Sequence, residues 1–250
     1  MLIKYRNLLF AITIIALSAC STKYGLIKSN REDYSINSKI EADSSIIKTY
    51  LPYKIKLDAE MNKIIGYSEV VLTKQSAIPE SVLGNFFADA VFNQAKKIES
   101  NIDFTVPTTK GGLRNDVAKG AITVANIFEL MPFENELVLF TLKGEDALNF
   151  INFVAKTNGQ PAAGLKMNIN NGKPENIIIN GKAFDVKQNY QVLTSDYIAS
   201  GGDDAVGFSN PIAKRNLNLK IRDALLKEVT QLQTEGKTIN AKLDGRITKN

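Results

Sequence analysis

The chain has no histidine and no tryptophan, and Cys20 is its only cysteine. Without histidine there is no imidazole to ligate a metal or to act as general acid or base near neutral pH. A lone cysteine excludes an intrachain disulfide and any metal site built on cysteine pairs. No charge sign dominates: 31 Lys and Arg stand against 26 Asp and Glu, a net charge of +5. Setting aside Lys4 and Arg6 leaves 29 basic residues against 26 acidic ones, about +3. That excess is mild and spread along the chain, so no nucleic-acid partner is expected. The longest apolar run, Leu8 to Leu17, is about ten residues, too short to span a bilayer.

What is present is globular in character, with 44% hydrophobic and 23% charged residues. The run from Leu8 to Leu17 follows Lys4 and Arg6 and ends in Leu17-Ser18-Ala19-Cys20. A short apolar core behind basic residues reads as a signal peptide, and Leu, two small residues and Cys resemble a bacterial lipobox. The expectation is a leader at 1–19, a lipidated Cys20 and a tether at 20–40 rich in Ser, Lys and Asn, then one domain at 41–250. Acyl chains on Cys20 would anchor the protein to a membrane without spanning it. Ser21 in place of Asp after the cysteine favours the outer membrane, facing the periplasm, by resemblance to enteric lipoproteins. About 230 residues remain after such a leader, enough for a core without a metal or disulfide staple.

Along the chain, apolar spacing over 42–63 predicts a helix kinked or broken at Pro52. Lys63 to Lys74 reads as strand. Pro79-Glu80-Ser81 opens a helix from Val82 to Lys97. Short strands are expected at Ile102–Val106 and Ala121–Val124, and a helical turn at Asn126–Leu130. Glu136–Leu142 reads as strand and Gly144–Ala155 as helix. Asn171-Gly172 and Asn180-Gly181 are hairpin signals around Asn176–Ile179. Tyr190–Ser195 reads as strand, Asn218–Gln233 as an amphipathic helix and Leu243–Thr248 as a last strand. Intermixed elements with two hairpins predict an α+β fold, a mixed sheet with flanking helices.

Three segments carry chemistry. In Thr109-Lys110-Gly111-Gly112-Leu113-Arg114, two glycines allow close approach of backbone N–H groups, and Arg114 can pair with phosphate or carboxylate in two-pronged fashion. The plain alternative is a Gly-Gly turn with an exposed arginine. In Pro132-Phe133-Glu134-Asn135, Phe133 is either a satellite core residue or a flat platform for a base. In Asp196-Tyr197 through Gly201-Gly202-Asp203-Asp204, a strand runs into a Gly-Gly turn with two carboxylates. There Tyr197 can stack on a base and Asp203 can accept from ribose hydroxyls.

The order Leu83-Gly84-Asn85-Phe86-Phe87, Gly-Gly-Leu-Arg, Pro-Phe-Glu-Asn, Gly144 and Ser-Gly-Gly-Asp resembles the C-terminal domain of the 5′-nucleotidase and UDP-sugar hydrolase family over about 45–248. The resemblance implies that domain's fold and its role in holding the nucleoside part of a substrate. It implies Arg114 as a substrate contact, Phe133 and Tyr197 as the two rings around the base, Asn135 as a base contact and Asp203 as the ribose acceptor. Thr109 stands where many members have Asn, and Lys110 where a small residue is usual. Lys110 is therefore a candidate replacement for a lost phosphate charge, and Lys74 a loose candidate for an upstream basic residue.

The family's metallophosphatase domain precedes the resembling region, so no catalytic residue, metal or cofactor is expected in this chain. A carboxylate-only site at Asp196, Asp203 and Asp204 competes with simply solvated turn aspartates, and a Ser–Lys pair has no spacing to support it. Three functions follow. One is a split 5′-nucleotidase in nucleotide catabolism, with two divalent metals on a separate metallophosphatase. The second is an envelope nucleotide receptor. The third is a structural lipoprotein with a degenerate pocket.

Overall fold

The computed structural model describes Gly25 and residues 28–249. The leader at 1–19 and Cys20 lie outside the described residues. The chain divides into two units, Met1–Thr49 and Tyr50–Asn250. Residues 28–43 of the first are all exposed and carry neither helix nor strand. Helix α1 (Ser44–Met61) runs across the boundary, and none of its residues is buried. Of the kink or break expected at Pro52, the break is not found: one helix runs through it. Proline removes one hydrogen bond to the Lys48 carbonyl, and an exposed helix leaves that carbonyl to water.

In the second unit, β1 (Ile64–Ser68) is shorter than the expected strand over 63–74. Beyond Ser68 the chain keeps only an isolated bridge, Leu72 to Val117. Helix α2 (Val82–Lys96) starts where the sequence said, with Ser81 Oγ accepting from the Gly84 N–H at 3.1 Å. Then come β2 (Phe104–Thr105), β3 (Gly120–Thr123), α3 (Val124–Leu130), β4 (Glu136–Lys143) and α4 (Gly144–Lys156). Next are β5 (Leu165–Asn170), β6 (Lys173–Ile179), β7 (Lys182–Ala183) and β8 (Asn189–Ser195). The two Asn-Gly pairs join β5 to β6 and β6 to β7, all four residues having φ between 48° and 79°. That is the left-handed pair a type I′ turn requires. The strand β5, for which no bounds were expected, is the first arm of the hairpin at Asn171-Gly172. A four-residue helix, α5 (Asp196–Ala199), follows β8, where a bare turn was expected.

A further unexpected strand, β9 (Ala213–Lys220), takes the first residues of the helix predicted from Asn218; α6 spans Ile221–Thr234 instead. The last strand is β10 (Ile247–Lys249), later and shorter than expected. Among the described residues three sheets result, β1-β3, β10-β5-β6-β7 and β2-β8-β4-β9. The last two are mixed: β2 runs parallel to β8, and β10 parallel to β5. The α+β expectation of mixed sheets with flanking helices therefore holds.

The sheet β2-β8-β4-β9 divides two cores. On β4, Leu137 and Leu139 face one cluster with Phe87, Val91, Leu130 and Leu225. Val138, Phe140 and Leu142 face the other, with Phe150, Ile151, Leu165 and Ile169. Period-two alternation sends successive side chains to opposite faces, so β4 is apolar on both.

Candidate functional site

Strand directions bring distant segments together. Because β2 parallels β8 while β4 runs against both β8 and β9, one edge of the sheet collects four chain ends. These are the ends of β2, β8 and β9 and the start of β4. Ser195 stands opposite Leu137, and Lys220 opposite Glu136. The three predicted segments leave from this edge and enclose a cleft of about 190 Å³. Its walls are Thr108, Gly111, Gly112, Arg114, Phe133, Asn135, Ser195, Tyr197, Asp203 and Ile221.

Seven of the eight residues singled out as substrate contacts thus line one cleft. The eighth, Thr109, is buried behind it, and its hydroxyl bonds to the Asp203 carboxylate. Asp203 also accepts from the Tyr197 hydroxyl at 2.9 Å. The Asp203 backbone is left-handed, φ 55°, which Asp tolerates better than most residues. The carboxylate is therefore held by two hydroxyls. The same bond to Asp203 raises the Tyr197 phenol above its ordinary value and keeps it protonated. The Tyr197 ring lies against Gly202, where an added Cβ would come within 2.4–2.6 Å of ring atoms.

Phe133 is 39% exposed and Tyr197 48%. Phe133 thus stands exposed on the cleft wall and is not a satellite core residue. Its turn is held from α6. The Arg222 guanidinium, buried on the Phe128 ring at 4.2 Å, donates to the Phe133 carbonyl at 3.2 Å and pairs with Glu134. Lys220 pairs with Glu134 as well, and the two cations draw the Glu134 carboxyl down to about 2. Asn135 donates to Asp196 at 3.0 Å. Asp196 also accepts from the Tyr197 and Glu136 N–H groups, so its role is to tie the two turns together.

Gly112 allows a contact no other residue would: its added Cβ would sit 1.9 Å from Thr108 Oγ1. Its N–H already donates to the Thr109 carbonyl at 3.0 Å, so its part is the tight turn and not donation to a ligand. Arg114 is exposed, donates to the Gly111 carbonyl at 3.2 Å, and has its guanidinium 5.7 Å from the centre of the Phe133 ring. Two conjectures about lysines are corrected. Lys110 does not line the cleft; its ammonium bonds to the Asn158 carbonyl at 2.8 Å, and burial pushes its pKa down. Lys74 donates to the carbonyls of Leu113 and Arg114 and braces the loop from behind.

Sequence reasoning missed Thr108, Ser195 and Ile221 as walls, and Arg222 as the brace. Ser195 carried a signal, as the cap of α5 that accepts from the Ile198 N–H. Arg222 carried none, since its partners lie about ninety residues earlier. Among the described residues no three His, Cys, Asp or Glu side chains form a group able to hold a metal ion.

Comparisons with known proteins give the family and the fold. The family model described as "5'-nucleotidase, C-terminal domain" matches residues 64–210. A 5'-nucleotidase of Vibrio vulnificus is 29% identical over 181 residues, covering 67% of this chain and 31% of that protein. The Vibrio cholerae 5'-nucleotidase is 28% identical over 174 residues, covering 66% and 30%. This chain thus spans about a third of the length of these curated relatives. The crystal structure of a 5'-nucleotidase precursor from Thermus thermophilus superposes with a TM-score of 0.66 at 24% identity, over 81% of this chain and 42% of that one. At that identity the likeness shows the fold. With more than half of its length matched by the family model, the chain belongs to the 5'-nucleotidase C-terminal domain family.

Proposed function

We propose that this protein is the nucleoside-recognising part of a split 5′-nucleotidase acting in nucleotide catabolism. One observation carries the reading: two partly exposed rings, Phe133 and Tyr197, share a cleft with a carboxylate pre-set by two hydroxyls and with an exposed arginine. A base fits between the rings. Ribose hydroxyls donate to Asp203, Asn135 meets the base edge, and Arg114 leaves the Gly111 carbonyl to pair with phosphate. Two divalent metals on a separate metallophosphatase would supply the hydrolytic chemistry, since the donor set described above does not fit such a site. Domain boundaries follow as a leader at 1–19, lipidated Cys20 with a tether at 20–40, and the binding domain at 41–250. The lipid would hold the protein at the cell envelope, on the outer membrane facing the periplasm.

Calorimetric titration of the detergent-solubilised full chain with adenosine, AMP and a UDP-sugar tests the pocket. Binding that Tyr197→Ala weakens by about 1–3 kcal/mol is the expected result; no binding to any of the three sinks it. The partner is tested by adding a metallophosphatase from the same genome. Hydrolysis of AMP by the mixture, at a rate neither component reaches alone, is expected. Binding without such a gain leaves an envelope nucleotide receptor.

A further inference from the structure

Asp203 is a wall of two hollows. Beyond the cleft, a groove of about 440 Å³ lies between α4 and the Asp203-Asp204 turn. Asn149, Asn152 and Lys156 enter it from one exposed face of α4, at the i, i+3, i+7 spacing that stacks side chains along a helix. Asp204 and Val206 close the other side. Asp204 lines only the groove, whereas Asp203 lines both spaces. Both aspartates have left-handed backbone, φ 55° and 62°. Asn149, Asn152 and Asp204 are all exposed along the groove. Lys156 has a structural account as the basic residue of the last turn of α4. Asp204 has none.

We propose that this groove is a second subsite, for a substituent carried on the ribose 2′ or 3′ oxygen of a bound nucleoside. The inference rests on the cleft reading above. There the ribose hydroxyl edge meets Asp203 and the 5′ side points to Arg114. A group on the opposite edge passes Asp203 and enters the groove. Charge selects its chemistry. Two carboxylates against one ammonium leave the groove negative, which opposes a 3′-phosphate and favours an amine. Asn149 and Asn152 supply donors and acceptors for an ester or amide link, and Val206, 51% exposed, gives apolar contact. An aminoacylated nucleoside has these three features.

The test compares puromycin with N6,N6-dimethyladenosine, which has the same base and carries neither the aminoacyl group nor an amine on the ribose, on the full chain in detergent, alongside adenosine and 3′-AMP. Puromycin is expected to bind about ten-fold tighter than the dimethyladenosine, the worth of one charge-assisted hydrogen bond. Asp204→Asn keeps the shape and tolerates the same backbone. It should abolish that advantage and leave the dimethyladenosine unchanged. Equal affinities, or an advantage that survives Asp204→Asn, overturn the subsite. So does 3′-AMP binding tighter than adenosine. If these fail while adenosine still binds in a manner weakened by Tyr197→Ala, the cleft reading stands alone. If no nucleoside binds, both fall.

Discussion

A buried arginine places the Phe133 ring. The side chain of Arg222 is 8% exposed, and its guanidinium spans the Phe128 ring, the Phe133 carbonyl and Glu134. Arg222→Met keeps the stem and removes the hydrogen bonds. A loss of about 1–3 kcal/mol in urea unfolding is expected, with weaker nucleoside binding because the Phe133 turn is freed. Glu134 gives the pH side of the same network. Its carboxyl is lowered from 4.5 to about 2 in the folded protein. Folded protein therefore binds that proton less readily than unfolded chain, and the stabilisation is full above pH 4.5 and lost as pH falls towards 2. Glu134→Gln should flatten unfolding stability across that window; an unchanged slope would detach Glu134 from the network. On the facing wall, an alanine at position 202 would drive its Cβ into the Tyr197 ring. The ring is half exposed and can swing away, so Gly202→Ala should weaken nucleoside binding while leaving the melting temperature nearly unchanged. Seven of the ten cleft walls were legible because each sits in a short turn motif, whereas Thr108, Ser195 and Ile221 were not singled out. Arg222 was not, because only the tertiary fold brings α6 to the turn before β4.

Gly144 reverses an ordinary helix rule. Exchanging glycine for alanine inside a helix usually gains about 1 kcal/mol. At Gly144, which opens α4, an added Cβ would lie 2.2 Å from the Val186 carbonyl oxygen, a backbone atom that cannot turn aside. Gly144→Ala should therefore destabilise, by about 1–3 kcal/mol; a stabilised variant in thermal unfolding would show that the approach of Val186 is not fixed. Elements with local chemistry could be read from sequence: α2 from its Ser81 cap, and the two hairpins from their Asn-Gly pairs. The strand β9 could not. Leu217, Ile221 and Leu225 repeat every four residues, which mimics a helix, while only Leu217 and Leu219 turn inward on the strand. Asn218 sits at φ 51° where the pairing with β4 shifts register, and such an irregularity breaks the alternation a strand is recognised by. The helix α1 is the opposite case, read from its apolar spacing yet burying nothing. Hydrogen exchange of its amides should be orders of magnitude faster than in α2, whose inner face is buried.

At the scale of the second unit, the final residues join what the central sheet keeps apart. Ile239 belongs to one core and Ile247 to the other. Between them the chain is fastened to α2 and to the turn that opens it. The Asn85 amide donates to the Lys242 carbonyl at 3.0 Å, and buried Glu80 accepts from the Gly245 N–H at 2.8 Å. Arg246 is the last fastening. It grips Asp89 of α2 with two bonds, at 2.7 and 2.9 Å, pairs with Asp244, and donates to the Ala162 carbonyl. It directly precedes β10, which lies parallel to β5. Removing one partner from a fully buried pair costs about 3–5 kcal/mol. Here Asp89 and Asp244 remain 45% and 36% exposed and can rehydrate, so Arg246→Met should cost less, about 2–3 kcal/mol by denaturant unfolding. The Asp244 carboxyl is held below its usual 3.8, chiefly by its hydrogen bond from Arg246. That part of the stability is full above pH 3.8 and fades as acid protonates Asp244. The deficit of Arg246→Met relative to wild type should accordingly narrow on acidification below that value. A deficit that stays constant would mean that the bond of Arg246 to the Ala162 carbonyl and the packing of its stem, and not its carboxylate pairs, hold the two cores together.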